Sequence, residues 1–511
     1  MKGDIEEIEN NVDEELLTSS QTEVHINELP EKLLLSILSY ISHYELSKTV
    51  VLVCKKWRLL SYNGYLWRDV TFRPEYMDYN IHIEALKALI SVRFANQLRS
   101  IDLPCEFVTV QVIHELASKC PAVKQMTIDF AKATQLNDFT DLQNFPSNLK
   151  SLCLCLSEVV FLEGFMRRVY TFLSSLSVLH IIGTFDLSSE SEERFEVVNI
   201  GKIRSHTPNL TIVNFYGVTF FEDSHIEMLA ASCIHLKVFA ANYCLQITGS
   251  SLKHLTTRCK KLQTLLLRHA DLKDEYVAAV DWYKCRHMSE LDISCTDLSE
   301  TCLIELLTKL PPLTFLSVAH CDFFTDKVLN SMASNSRLDR LKSVDFGYTY
   351  GLTEPIIMAF LKSHGHRLAG VMLNGKAKLD ELFWLTAVPL LPEIRIVSLG
   401  QCHGWFYGNL ARVHIDQIIN AIATYNRKLV RLEIQWDPDT IRYSDKSSKF
   451  IDLLRMRCSN LRTVALADGG YYEMFRSNFD RAERPQVVRP TNQYKTSIIS
   501  QLNDYNQLLF N

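Results

Sequence analysis

Along most of the chain the apolar positions recur in one short pattern, L-x-x-L-x-L, whose first, fourth and sixth places are mostly Leu, Ile, Val, Phe or Met. Units of this kind begin at residues 98, 123, 149, 176, 210, 236, 262, 288, 313, 341, 368, 394, 429 and 461. Ten of the thirteen steps between them are 25–28 residues, the period of a repeat array; the exceptions are 34, 35 and 32. Alternation within a unit predicts a short strand, and the stretch that follows, such as SSLKHLTTRC or SETCLIELLTKL, predicts a turn and a helix. A strand–turn–helix unit cannot bury its apolar face alone, so neighbours must stack. The expectation is an α/β fold: a right-handed curved solenoid of about fourteen repeats over 98–467, with a parallel sheet on its concave face and helices on its convex face.

The segment before the repeats has another pattern. Leu33, Leu34, Ile37, Leu38 and Ile41 form one broad apolar stripe, and Leu46, Val50, Val53 and Trp57 a second at the same period. Pro30 suits the opening turn of the first helix, where its missing N–H costs nothing. Three short helices are predicted over 26–72. Fewer than 50 residues cannot bury this many large side chains within themselves, so part of the surface must meet something else. Upstream, residues 1–23 carry eight acids against the single base Lys2, which reads as a disordered leader. The expected organisation is therefore leader 1–23, helical head 24–72, linker or amino-terminal cap 73–97, solenoid 98–467 and carboxy-terminal cap or tail 468–511. Tyr471, Tyr472, Phe475 and Phe479 supply apolar cover for the solenoid's end.

Leu29-Pro30, the Leu34-Leu35 and Ile37-Leu38 pairs, Glu45-Leu46, Val53-Cys54-Lys55-x-Trp57-Arg58 and Leu66-Trp67-Arg68 resemble the F-box motif, in order and at its usual spacing. The resemblance implies docking of a Skp-type adaptor, and through it a cullin and a RING subunit, in an SCF ubiquitin ligase. It assigns adaptor binding to Leu29, Pro30, Leu34, Ile37, Leu38, Leu46, Val53, Cys54, Trp57, Leu66 and Trp67. Some of these would be internal core, and sequence cannot sort them. The chain resembles F-box proteins of the leucine-rich-repeat type, whose repeats hold a protein substrate. The alternative is an adaptor-bound repeat scaffold with no role in ubiquitination.

The cysteines fit that array. Cys120, Cys233, Cys259, Cys285 and Cys458 each precede a unit by three residues; Cys244, Cys321 and Cys402 follow its first position by eight, and Cys295 by seven. These places resemble the cysteine-containing class of leucine-rich repeats, in which a small thiol closes the bend while packing inward. Thiols one repeat apart line a spine rather than converge on an ion, so neither metal nor other cofactor is expected. Gly370–Lys376 nearly spells a phosphate loop, but Ala377 stands where a Ser or Thr is needed and the stretch is itself a repeat strand. No catalytic motif has local support, and a non-catalytic protein is expected. A net charge of −5 argues against a general nucleic-acid or anionic-membrane binder. No apolar run is long enough to span a membrane, and cytoplasm or nucleus is the expected location.

The third, fifth and seventh places of each unit point onto the sheet face. There Tyr216, Asn242, Arg268, Glu290, Asp292 and Asp345 are candidate substrate contacts: the acids form a patch suited to a basic segment, and Arg268 and Arg431 could pair acids or phosphate. Trp405, Phe406 and Tyr407, in the insertion of the long step after 394, are a second candidate, because loops on a rigid scaffold often carry binding.

Overall fold

The computed structural model describes residues 25–71, 83–135, 138–157, 160–184, 196–376, 379–400, 413–443, 448–480 and 486–489. The acidic leader and the Trp405–Phe406–Tyr407 trio lie outside the described residues. The described chain forms two compact units, one running to Gln125 with 143–148, the other comprising 126–142 and 149 onward.

In the first unit, the head is finer-grained than three helices. Four short helices (Glu31–Leu38, His43–Lys48, Val50–Val53 and Lys55–Ser61) are bracketed by 3-10 turns at Ile26–Glu28 and Gly64–Trp67. The last break falls at Cys54, whose extended backbone starts the next helix while its thiol accepts from the Trp57 N–H. Leu34, Leu38, Leu46, Leu66 and Trp67 make the core, and Trp67 donates to the Ser61 carbonyl at 2.8 Å. Asp69–Thr71 then forms a strand that pairs in parallel with Ser100–Pro104, so the head ends inside the first repeat. The helical stretch Ile83–Phe94 buries Leu86, Ile90 and Phe94. There Arg93 lies 3.4 Å from the Tyr62 ring centroid and donates to the Ser61 carbonyl at 3.0 Å.

The second unit is an α/β solenoid. All fourteen predicted units of the chain, those of the first unit included, carry a strand that begins two residues into the pattern. From Ser151–Cys155 onward the strands of the main sheet pair in parallel, each with that of the next repeat, ending on Val487–Val488 against Thr463–Leu466, while Val413–His414 and Ile441–Arg442 form a separate pair. The first, fourth and sixth places point inward: Leu262, Leu265 and Leu267, for example, are almost wholly buried, each contributing about 2 kcal/mol. Helices follow on the other side, such as Leu252–Arg258 and Glu300–Lys309. Acids at helix starts cap the next repeat: Asp223 accepts from the N–H and hydroxyl groups of both Thr248 and Ser251, and Asp326 from those of Thr353. The carboxy-terminal cover is helical, Gly470–Phe479, with Tyr471, Tyr472, Phe475 and Phe479 all buried.

Candidate protein-interaction site

On the helical head the structure sorts the eleven expected adaptor residues. Leu34, Leu38, Leu46, Leu66 and Trp67 are internal. Leu29, Cys54 and Trp57 are half-buried, with the Trp57 indole donating to Asn27 Oδ1 at 2.7 Å; Pro30, Ile37 and Val53 face solvent. The largest apolar exposures on the head lie on residues that sequence reasoning passed over: Leu52 is 82% exposed, Leu59 75% and Tyr40 64%. The signal was present in the unbroken run Val50-Val51-Leu52-Val53 and in Leu59-Leu60, since a four-residue apolar run on a short helix cannot all point inward.

On the sheet face the expected acidic patch is already matched in part from within. Arg268 Nε donates to Asp292 at 3.2 Å, and its Nη2 reaches Asp345 and the Ser317 hydroxyl, each at 3.4 Å. Burial raises the Asp345 carboxyl, and Arg268 opposes that rise. Glu290 is also pushed up by burial and accepts from the Thr264 hydroxyl at 2.7 Å. Arg431 pairs with Glu433 at 2.6 Å rather than standing ready for an acid or phosphate. The face therefore holds Asp292 and Asp345 around Arg268, both largely out of solvent, with Glu290 held by Thr264.

Asn242 is wholly buried, its side-chain oxygen accepting from the Arg268 backbone N–H at 2.9 Å. Tyr216 packs on Cys153, Cys155 and Ile182, with its ring 5.1 Å from that of Tyr243. Lys376, from the near-phosphate-loop stretch, turns inward: its ammonium donates to the carbonyl and hydroxyl of Thr349, and burial lowers its pKa to about 8. Among the described residues no group of three His, Cys, Asp or Glu side chains could hold a metal ion.

The row just past each strand was not anticipated. Gly217, Tyr243, His269, Cys295, His320, Tyr348 and Gly375, each seven residues after its unit begins, all adopt positive φ. Reading the seventh residue after each repeat's start as a column would have revealed it, because Gly at both ends of the column marks a left-handed position.

Residues 26–73 match the F-box-like family model. Among solved structures, the yeast Rad7 and Elc1 complex aligns over 86% of this chain and 92% of the matched chain, at 14% identity and a TM-score of 0.44. The mouse RP105/MD-1 complex aligns over 83% and 61%, at 14% identity and 0.36, and a Leptospira interrogans leucine-rich-repeat protein over 79% and 96%, at 15% identity and 0.33. No curated protein sequence matches the chain. The chain carries an F-box-like domain at residues 26–73 ahead of an α/β solenoid of strand–helix repeats.

Proposed function

We propose that this protein is a substrate-recognition subunit of an SCF-type ubiquitin ligase. Its F-box docks a Skp-type adaptor, and through it a cullin and a RING subunit, while the repeat solenoid holds a protein target. The role is non-catalytic: the receptor raises the effective concentration of target lysines near the ubiquitin-charged enzyme. The observation that carries this reading is the F-box-like domain with Leu33, Ile37, Leu52, Val53 and Leu59 exposed around its own packed core. A free head that needs no partner would not present so much apolar surface. A cytoplasmic or nuclear location belongs to the same proposal; among the described residues no helix is long and apolar enough to cross a membrane.

The experiment is a pull-down of recombinant Skp-type adaptor by the full chain, wild type against Leu52→Asp/Leu59→Asp. The expected result is at least a tenfold loss of capture with an unchanged melting temperature, because both side chains face solvent. Capture equal to wild type would remove the docking assignment.

A further inference from the structure

The turns that lead from helix to strand repeat one geometry in three successive units. The Leu236 N–H donates to the Cys233 carbonyl at 3.2 Å, that of Leu262 to Cys259 at 3.1 Å and that of Met288 to Cys285 at 3.0 Å. Ile234-His235, Lys260-Lys261 and Arg286-His287 are therefore the central pairs of equivalent turns. The turns stack in step: the Cys259 thiol donates to the Cys233 carbonyl at 3.5 Å, and the Gln263 N–H to the Lys237 carbonyl at 2.7 Å. Burial raises the Cys285 thiol, and Lys260 of the preceding turn is near enough to oppose that rise.

These turns collect cations. Lys237, Arg258, Lys260, Lys261, Lys284 and Arg286 are all exposed along this edge, in a chain whose net charge is −5. Asp281 pairs with Lys284 at 3.0 Å; among the described residues no carboxylate pairs with the others. A helix dipole favours a cation in the last turn and accounts for Arg258, which ends Leu252–Arg258. Lys260, Lys261 and Arg286 lie past the helix ends, where that field has fallen away. Crowding like charges there is unfavourable until a counter-charge arrives. Ile234 holds the place of Lys260 one repeat earlier, and Tyr283 precedes Lys284; they are 50% and 64% exposed and add apolar anchors to the edge. The equivalent turns on either side read Pro208-Asn209 and Pro311-Pro312, so the cations stop there. A phosphate polymer would need a longer track of charge; a short patch with apolar neighbours suits a segment of a protein.

We propose that this edge, centred on Lys260, Lys261 and Arg286, binds a short acidic segment of a partner protein, with carboxylates on the cations and an apolar side chain against Ile234 or Tyr283. An extended segment sets alternate side chains roughly 6.7 Å apart, between the roughly 4.8 Å spacing of neighbouring strands and the roughly 10 Å spacing of neighbouring helices. Acids at every second position therefore follow the repeats. This names a recognition surface for the target proposed above and rests on that reading; it places the target on the turn edge, where the charges are unmatched, rather than on the acids that Arg268 already pairs.

The test is fluorescence anisotropy of fluorescein-labelled Glu-Leu-Glu-Ser-Glu-Leu-Glu with the full chain. Saturable binding is expected in wild type, weakening about fivefold between about 50 and about 300 mM NaCl as screening shortens the reach of the cations. Lys260→Glu/Lys261→Glu/Arg286→Glu should weaken it by about tenfold or more with an unchanged melting temperature, because all three side chains are exposed. Lys260→Gln/Lys261→Gln/Arg286→Gln, which introduces no acid, should weaken it about threefold. Lys342→Glu/Arg395→Glu/Arg462→Glu makes the same change in net charge at exposed positions of other repeats and should bind as wild type does. No saturable binding in wild type, or equal losses from the two charge reversals, would overturn the proposal. So would equal affinity for the labelled Gln-Leu-Gln-Ser-Gln-Leu-Gln peptide. A short DNA duplex bound more tightly than the acidic peptide, and released by the same reversal, would assign the edge to nucleic acid and overturn it too. Adaptor capture stays at the wild-type level in each variant, so failure here is distinct from failure of the ligase reading.

Discussion

Arg268 pairs with Asp292 of the following repeat and with Asp345 three repeats on, so its guanidinium ties together strands that are far apart in sequence. Breaking a buried pair on one side leaves the other charge without compensation. Arg268→Met should therefore cost about 3–5 kcal/mol near neutral pH. The loss should shrink on acidification. Asp345 is already raised by burial, and without Arg268 its carboxyl rises further. The folded variant then binds a proton that the unfolded chain binds only at lower pH, so stability is recovered as pH falls through the raised value. Urea midpoints of wild type and variant measured from pH 7.5 to pH 4.5 should converge; parallel curves would show that the carboxylates are not the cause. That Arg268, Asp292 and Asp345 share a face was legible in the L-x-x-L-x-L period. That they pair was not, because pairing depends on side-chain reach across strands. Reading the acids as a surface for a basic partner missed that neutralisation.

At the scale of the element, the repeat works through its turns. Cys120, Cys233, Cys259 and Cys458 sit at the ends of helices, and their backbone N–H groups close the last turn. The thiols reach back one repeat: Cys259 to the Cys233 carbonyl at 3.5 Å, Cys233 to Thr207 at 3.6 Å and Cys458 to Asn426 at 3.5 Å. Cys244 and Cys321 do the same in the bend after the strand, to Phe215 and Ile293. Burial pushes Cys120, Cys244 and Cys259 from 9.0 to about 12, and Cys233, Cys321 and Cys458 to about 11. Unfolded thiols ionise near 9 while these stay protonated, so unfolding releases protons. Stability from the spine is complete below pH 9 and is lost as pH rises through 11–12, about 1 kcal/mol per buried thiol at pH 10. Lys376, lowered to about 8, acts in the opposite direction but is a single group. In reductant, the urea midpoint should fall between pH 8.5 and 10.5. Native alkylation at pH 8 should reach the half-buried Cys54 and Cys105 well before the buried thiols and before Cys295, which burial pushes up to about 12. The register of this spine was readable from cysteine spacing alone; that Cys233, Cys244, Cys259, Cys321 and Cys458 donate to the preceding repeat needed the stacked backbone.

For the molecule as a whole, two kinds of core imply two kinds of mutational response. In the head, Leu34 is internal while Leu52 and Leu59 are not. Leu34→Ala should cost about 2–5 kcal/mol and weaken adaptor capture only as far as the head unfolds. Leu52→Asp/Leu59→Asp should abolish capture in a protein that melts normally. Comparing thermal melts with adaptor affinity for the two variants checks this; equal melting losses would mean that Leu52 and Leu59 are core. By itself the sequence determined the repeat, its fourteen strands and the F-box-like motif, because a period of about 26 residues and an ordered set of apolar anchors are one-dimensional signals written at fixed spacing. Only the tertiary structure decided which anchors are buried, that the head's last residues join the first repeat strand, that Arg268 pairs with Asp292 and Asp345, and that the place just past the strand takes positive φ. Each of these depends on which side chains of different repeats lie within a few ångströms of one another, and stacking rather than spacing sets that distance.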